Sequence, residues 1–146
     1  VMRLVGSEMC IRDSDIGVEP EINQSDPTVY ALGTPLGPQS PSLYWGWDTG
    51  WQFIHFDGNV DTDGDNTLEE NYQLHLGTDA LLRTAELSHS FSAAEDDQMT
   101  LEIEVDFARF FDGIDLATDN TSHVSDNVSL ATQVMDNTPG AFSIVL

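Results

Sequence analysis

Residues 42–58 read SLYWGWDTGWQFIHFDG, and this aromatic stretch decides the fold of the chain. It contains all three Trp of the sequence, together with one Tyr, two Phe and one His. A buried aromatic side chain removes about 150–250 Å² from water, which contributes about 4–6 kcal/mol at roughly 25 cal/mol per Å². We therefore expect the core to form around this segment. We also expect a functional site there, because a His lies among the rings.

The chain carries a strong negative charge. Its 26 Asp and Glu stand against four Arg, and the formal net charge is −22. Such a surface repels phosphate backbones, so nucleic acid and anionic membranes are excluded as partners. An acidic surface of this kind is compatible with saline surroundings or with the binding of divalent cations. No apolar run approaches the roughly 20 residues of a membrane span, so no transmembrane segment is predicted.

Residues 1–14, VMRLVGSEMCIRDS, differ in composition from the rest of the chain. They hold two of the four Arg, the single Cys and two of the four Met. They resemble the translated adapter sequence that recurs at the start of environmental gene fragments. We interpret them as a non-native leader, followed by one domain over residues 15–146 whose ends are truncated. An export signal would then lie outside this sequence.

Period-two alternation predicts two strands beside the aromatic stretch. In residues 51–56 both faces are mostly apolar, which is typical of a strand in the middle of a sheet. In residues 72–77 the Leu side chains point one way and His75 points the other. Gly50 predicts a bend or bulge before the first of these strands.

Three further strands are predicted over residues 81–88, 99–106 and 141–146. The strand over residues 99–106 has the cleanest alternation in the chain, and this alternation predicts that Ile103 and every second residue on either side of it face the core. An acidic turn over residues 92–98 separates it from the preceding strand.

Helical spacing is confined to two short stretches. Three Phe recur at i, i+3 and i+4 after Asp106, which is placed to cap a helical turn. Residues 126–135 carry an apolar stripe behind Ser125 or Asp126 as the cap. Together, these strands and short helices predict an all-β fold, an antiparallel β-sandwich with short helical connections.

A set of aromatic and imidazole side chains is the first candidate for chemistry. Its members are Trp45, Trp47, Trp51, His55, His75 and His123. Copper(I) prefers few soft or imidazole ligands in a water-poor pocket. His side chains held by strands within an aromatic wall would provide such a pocket. The alternative is an aromatic core in which each His makes an ordinary hydrogen bond, because the spacing of these residues is not a metal-binding motif.

Five runs between residues 17 and 144 resemble the MbnP family of copper-binding proteins. They are GVEPEINQSDPTVYALGTPL (17–36), YWGWDTGWQFIHFDG (44–58), YQLHLGTDALLRTAEL (72–87), LEIEVDFARFFDGIDLAT (101–118) and ATQVMDNTPGAFSI (131–144). The most specific feature is the WGW-x-x-G-aromatic core, combined with a downstream H-L-G after an apolar strand.

The resemblance implies an exported β-sandwich of the periplasm or cell surface that binds copper. It implies His75 as a copper ligand, with His123 and His55 as weaker candidates. It also implies a di-haem peroxidase-like partner, which in some members oxidises a Trp to kynurenine. Trp45 or Trp47 would be that residue, and the kynurenine would help to hold copper.

Residues 59–70, NVDTDGDNTLEE, form the second candidate site. Aligned with a calcium-binding loop, acidic or amide oxygens fall at alternate positions and Gly64 falls at the sharp turn. The predicted calcium ligands are Asp61, Asp63, Asp65 and Glu70. The alternative is a solvated hairpin loop, because the flanking segments are predicted to be strands.

The sequence contains no catalytic motif that we recognise. GxSxG, HExxH and phosphate-binding loops are all absent, and the one Cys is not part of a recognisable Cys–His nucleophile motif. We therefore do not expect an enzyme. The expected function is copper storage, transfer or scavenging, most consistent with copper(I). The alternative is a calcium-stabilised acidic β-sandwich module of the cell surface with no copper role.

Overall fold

The computed structural model describes residues 6–38, 43–93, 100–123 and 126–145. In these ranges the chain forms strands β1 (Gly6–Ile16), β2 (Tyr44–Gly46), β3 (Gly50–Val60), β4 (Glu70–Gly77), β5 (Arg83–Ala93), β6 (Glu102–Val105), β7 (Thr121–His123) and β8 (Phe142–Val145). The helices are α1 (Pro20–Asn23) and α2 (Val128–Asn137). Short 3₁₀ turns span Pro27–Val29, Asp79–Leu81, Phe107–Phe111 and Thr138–Ala141.

The strands form one larger sheet and two strand pairs. The larger sheet has the order β2-β3-β4-β7, while β1 pairs with β5 and β6 pairs with β8. The pairings are antiparallel except that β4 and β7 run parallel. The chain is therefore an all-β sandwich with short helical connections, as predicted.

β3 is an interior strand, which confirms the prediction from its two apolar faces. Its register against β4 shifts between Gln52 and Ile54. Beyond this irregularity, Ile54 is buried and Phe56 is half-buried against the core, while His55 and Asp57 are exposed. The two sides of β3 thus serve different purposes, one for packing and one for polar side chains.

The core lies between the larger sheet, α2 and the Phe107–Phe111 turn. Its buried members are Ile54, Leu74, Leu76, Leu81, Phe110, Leu130, Ala131, Val134, Met135 and Ala141. The ring of Phe56 lies 5.6–6.1 Å from the three Phe rings of the turn. The predicted cap of this turn is confirmed, because the Asp106 side chain accepts a hydrogen bond from Ala108 N.

The cap of α2 was predicted incorrectly. The helix begins at Val128, and the Asn127 side chain accepts a hydrogen bond from Leu130 N at 3.2 Å. Asp126 instead accepts a hydrogen bond from His123 N, and Ser125 lies outside the described residues. Asn127 also contacts Thr121 O through its amide, so the cap and the end of β7 are joined.

The start of β3 is fixed by a buried amide from α1. Asn23 Oδ1 accepts from Trp51 N at 2.8 Å, and Asn23 Nδ2 donates to Asp79 Oδ1 at 2.8 Å. Gly50 has a φ of +72°, and a Cβ at this position would lie 2.1 Å from Asn23 Oδ1. The predicted bend at Gly50 is therefore required by both the backbone and the neighbouring amide.

The outer strands differ from expectation in length and exposure. β6 covers only Glu102–Val105, and Ile103 is 50% exposed instead of buried in the core. β6 pairs with β8, and Val105, two residues further along the same side of β6, packs against the core. The strand predicted over 81–88 begins at Arg83 and runs to Ala93. Residues 94–98 of the predicted acidic turn lie outside the described ranges.

β1 includes much of the segment that we interpret as a leader. It pairs in antiparallel register with β5 from Gly6 opposite Ala93 to Ile16 opposite Arg83. Residues 6–14 thus add a strand to the fold. Their interpretation as a non-native leader stays a prediction, as does the domain boundary at residue 15.

Candidate metal centre

Three imidazoles lie side by side on three neighbouring strands. His55 on β3 is paired with His75 on β4, and His75 is paired with His123 on β7. The ring centroids are 4.0 Å apart for the first pair and 5.2 Å for the second. Neighbouring strands are about 4.7–4.9 Å apart, so paired positions bring their side chains into contact. We call His55, His75 and His123 the histidine row.

The alternation of each strand turns the histidine row away from the core. On β4, Leu74 and Leu76 are buried, so His75 between them points to the opposite face. On β7, Ser122 is buried and His123 is exposed. The core therefore holds the backbone on which the three rings are mounted, and the ring positions are set by strand register.

Asp57 is a fourth member of this site, and our sequence analysis missed it. Its Oδ2 lies 2.6 Å from His55 Nε2, and its Oδ1 lies 2.9 Å from His75 Nε2. These contacts with His55, and next those with His75, hold the pKa of the Asp57 carboxyl below its ordinary value. Alternation along β3 could have revealed it, because Asp57 follows His55 by two residues. We call His55, Asp57 and His75 the His–Asp–His cluster.

Gln52 supports the ring of His55 from the other side. Gln52 Oε1 lies 2.6 Å from His55 Nδ1. The Nε2 atoms of both rings lie within hydrogen-bond distance of Asp57 oxygens. If a cation were bound by Nε2 of His55, the ring proton would lie on Nδ1, where Gln52 Oε1 can accept it. The polar surroundings therefore fit a metal held by the ligand atoms of the cluster, which all lie within 4.8 Å of one another.

The cluster lies on the surface, with His75 as its most enclosed member. The exposed fraction of the side chain is 14% for His75, 41% for His55 and 47% for Asp57. An ion held here would keep a face open to solvent. The site is therefore less enclosed than the water-poor pocket expected from the aromatic content.

Trp45 extends the histidine row at the His123 end. Its ring centroid lies 5.4 Å from that of His123, with the planes tilted by 44°. A Cβ on Gly77 would lie 3.0 Å from the Trp45 ring and 2.5 Å from Trp51 O. Glycine at position 77 thus allows the indole to lie across the end of β4.

The other two Trp lie away from the imidazoles. Trp47 is in the turn between β2 and β3, is 69% exposed, and contacts the Tyr44 ring at 6.5 Å. Trp51 is buried against Tyr30 and Tyr44. The expected aromatic wall is therefore reduced to Trp45 among the three Trp. Of the two Trp considered for oxidation, only Trp45 stacks against an imidazole in the described structure.

The acidic loop between β3 and β4 brings four carboxylates together. Oxygens of Asp61, Asp63, Asp65 and Glu69 lie within 4.8 Å of one another. Glu70, which we expected as the fourth ligand, instead begins β4 and is paired with Val60. Its neighbour Glu69 turns into the loop and accepts from Thr62 N at 3.0 Å.

Backbone amides of the same loop converge on Asp61. Its Oδ1 accepts from Gly64 N and its Oδ2 from Asn66 N, both at 2.7 Å. Desolvation opposes ionisation of this carboxyl, but the backbone donors outweigh it and lower its pKa. The loop is therefore ordered by its own hydrogen bonds.

Taken together, these features define a β-sandwich protein with a cluster of imidazole and carboxylate groups on its main sheet. The MbnP family model matches residues 13–129, which include the whole histidine row, Asp57 and Trp45. The chain belongs to the MbnP family. Neither the curated proteins nor the solved structures contain a significant match. No helix in the described ranges has the length and apolar character needed to cross a bilayer.

Proposed function

We propose that this chain is an exported copper-binding protein of the periplasm or cell surface that stores, transfers or scavenges the metal. The observation that supports this most is the alignment of the three imidazoles of the histidine row on one face of one sheet. Imidazole is a good ligand for copper, and ligands fixed by strand register lose little freedom on binding. Membership of the MbnP family points to the same metal.

The charge of the chain also favours cation capture. With a formal net charge of −22, its surface potential raises the local concentration of metal cations and speeds their arrival. We propose that copper is cargo here and that the chain is not an enzyme.

Trp45 is the residue we propose for oxidation to kynurenine by a di-haem peroxidase-like partner. Its contact with His123 at 5.4 Å would place the amine or carbonyl of kynurenine beside the histidine row. Co-expression with such a partner, followed by peptide mass spectrometry, tests this assignment. The expected result is modification of Trp45 and not of Trp47. Modification confined to Trp47 would overturn it.

Metal analysis of purified protein tests the copper function. His75→Ala removes the central ring of the histidine row, and His89→Ala removes a ring from β5, which belongs to a different sheet. We expect copper to be lost from His75→Ala and kept by His89→Ala. Equal copper retention by both variants and the wild type would remove the histidine row from the proposal.

Calcium binding by the acidic loop is the second candidate function, and it would stabilise a surface module. The convergence of Asp61, Asp63, Asp65 and Glu69 supports it. If calcium binds, its removal with a chelator lowers the Tm of the wild type, and its return restores the Tm. Asp63→Asn should reduce that difference. A Tm that is independent of calcium contradicts this role without affecting the copper proposal.

A further inference from the structure

Half of the most exposed apolar side chains lie in one part of the chain. Ten large apolar residues are exposed in the described ranges, and five of them fall between residues 22 and 47. These five, which we call the apolar patch, are Ile22, Val29, Leu32, Leu43 and Trp47. Single exposed apolar residues are ordinary on a protein surface, whereas a group of them marks a site of interaction.

Ring contacts hold the two segments of the apolar patch against each other. The Trp51 ring lies 5.9 Å from that of Tyr30 and 4.8 Å from that of Tyr44. The Tyr44 ring in turn lies 6.5 Å from that of Trp47. Asn23 joins the same segments, because its side chain accepts a hydrogen bond from Trp51 N. The segment around α1 and the β2–β3 turn are therefore neighbours in the fold.

Trp47 has the character of an anchor for another protein. The residue is exposed, and its indole is large and rigid, so a partner that covers it removes much apolar surface from water at little cost in side-chain freedom. Trp is also enriched among the residues that dominate binding energy at interfaces. Trp47 lies two residues from Trp45, so a protein docked on Trp47 comes close to the residue proposed for oxidation.

The charge around the apolar patch indicates which kind of surface fits it. Residues 13–82, which include the whole patch, contain no Arg or Lys. Its two segments carry the exposed carboxylates of Glu21 and Asp48. A second copy of this acidic chain would bring like charges together, whereas a basic surface would be attracted. An apolar pocket with a basic rim therefore fits the patch better than a second copy does.

We propose that the apolar patch is the docking surface for the partner that oxidises Trp45. The indole of Trp47 sits in an apolar pocket of that partner, and basic residues of the partner surround it. This inference rests on the partner named in the proposed function, and it gives Trp47 a role in docking instead of in modification. It does not depend on which residues hold copper.

Binding of the purified di-haem peroxidase-like protein to the full chain, measured at low and high salt, tests the proposal. Trp47→Ala removes the anchor, and Val29→Ala trims another part of the patch. Val128→Ala is the matched control, because Val128 is also exposed but begins α2. Asp48→Lys reverses a charge beside the anchor, and Asp112→Lys reverses an exposed charge beside the Phe107–Phe111 turn.

We expect Trp47→Ala to weaken binding at least about tenfold, as is typical of an interfacial Trp anchor. Val29→Ala should weaken binding less, and Val128→Ala should leave it unchanged. Asp48→Lys should weaken binding more than Asp112→Lys does, and high salt should weaken binding of the wild type. Because Trp47 is exposed, the urea midpoint of Trp47→Ala should match that of the wild type, which shows that the variant is folded.

Modification of Trp45 on co-expression is the second readout, and Trp47→Ala should lower it although Trp45 itself is unchanged. Wild-type binding and wild-type modification in Trp47→Ala would overturn the inference. So would a dimer of the wild type that Trp47→Ala abolishes in sedimentation, because a second copy would then cover the patch. Equal effects of Asp48→Lys and Asp112→Lys would overturn the assignment of a basic partner surface.

The failure of this inference differs from the failure of the proposed function. If Trp45 is modified in the wild type and in Trp47→Ala alike, the proposed partner stands and the docking surface is wrong. If the wild type neither binds the di-haem protein nor is modified by it, the proposed partner is wrong as well. Metal analysis of His75→Ala decides the copper function separately from both.

Discussion

His55 and His75 face each other across the antiparallel β3–β4 pair, with ring centroids 4.0 Å apart and planes inclined by 32°. Both rings direct Nε2 to the same carboxylate, that of Asp57. The two residues are separated by a long polar loop in sequence, but their register brings them together. The register of β3 against β4 thus brings the Nε2 atoms of His55 and His75 together.

Removal of the outer rings of the histidine row should weaken copper binding unequally. His55→Ala removes a member of the His–Asp–His cluster, so it should cost at least about tenfold in copper affinity. His123→Ala should cost less, because His123 makes no described contact with Asp57. Chelator competition measures both, with His89→Ala as the control. A larger loss in His123→Ala than in His55→Ala would place the ion at the other end of the row.

Gly77→Ala should destabilise the fold and displace Trp45. The added Cβ would lie 2.5 Å from Trp51 O, which is backbone and cannot move aside cheaply. Overpacking of this kind costs about 1–3 kcal/mol in the free energy of unfolding. Urea unfolding followed by Trp fluorescence measures the change. Gly140→Ala is the control, because a Cβ there meets nothing within 4 Å. Equal stabilities of the two variants would contradict the packing described at Gly77.

Asn23→Ala should also destabilise the chain. It removes the acceptor of Trp51 N and leaves that buried donor without its partner, which costs about 1–3 kcal/mol. The exposed neighbour Gln24, which donates to Asp79 Oδ2, provides the comparison. Gln24→Ala should change the free energy of unfolding much less. A similar loss in both variants would show that the contact with Asp79 matters more than that with Trp51.

Asp26 should make a small contribution to stability that depends on pH. Its carboxylate accepts from Thr28 N and, next, from Thr28 Oγ1, and these bonds lower its pKa. Because the folded pKa is depressed, this contribution is present above the ordinary Asp value of about 3.9 and is lost as pH falls through the folded value. Asp26→Asn keeps an oxygen for Thr28 N but cannot titrate.

Urea unfolding at a series of pH values from neutral to acid tests this prediction. The wild type should lose more stability on acidification than Asp26→Asn does. Asp112→Asn, which changes the charge equally, should follow the wild type. Parallel acid profiles for all three proteins would contradict a role for the Asp26 carboxylate.

The sequence was sufficient to predict β3 and β4, two of the three strands that carry the histidine row, whereas β7 was not predicted. The alternation around His75 predicted β4, the apolar faces of residues 51–56 predicted an interior strand, and the Phe spacing predicted the turn after Asp106. These patterns are local, since burial of one face leaves a period of two or 3.6 in the chain itself.

Other features depended on tertiary contacts that no local pattern records. The parallel pairing of β7 with β4, which brings His123 to His75, joins residues far apart in sequence. Asp57 was overlooked because acidic residues are abundant in this chain. Glu69 replaces Glu70 in the acidic loop because strand pairing at Val60 fixes where β4 begins. The burial of Ile103 was predicted wrongly, because alternation shows which face of a strand a side chain is on but not how much of that face is covered by other elements.

The parallel junction of β7 with β4 has a consequence for how the site is assembled. The β3–β4 hairpin closes over the loop of residues 61–69, so two imidazoles and the carboxylate can come together early in folding. The third imidazole arrives only when the distant β7 docks, a step that sequence separation makes slower. On the proposed copper function, the partly folded chain would bind the metal weakly and the docking of β7 would strengthen that binding, so that metal loading and the last step of folding become one event.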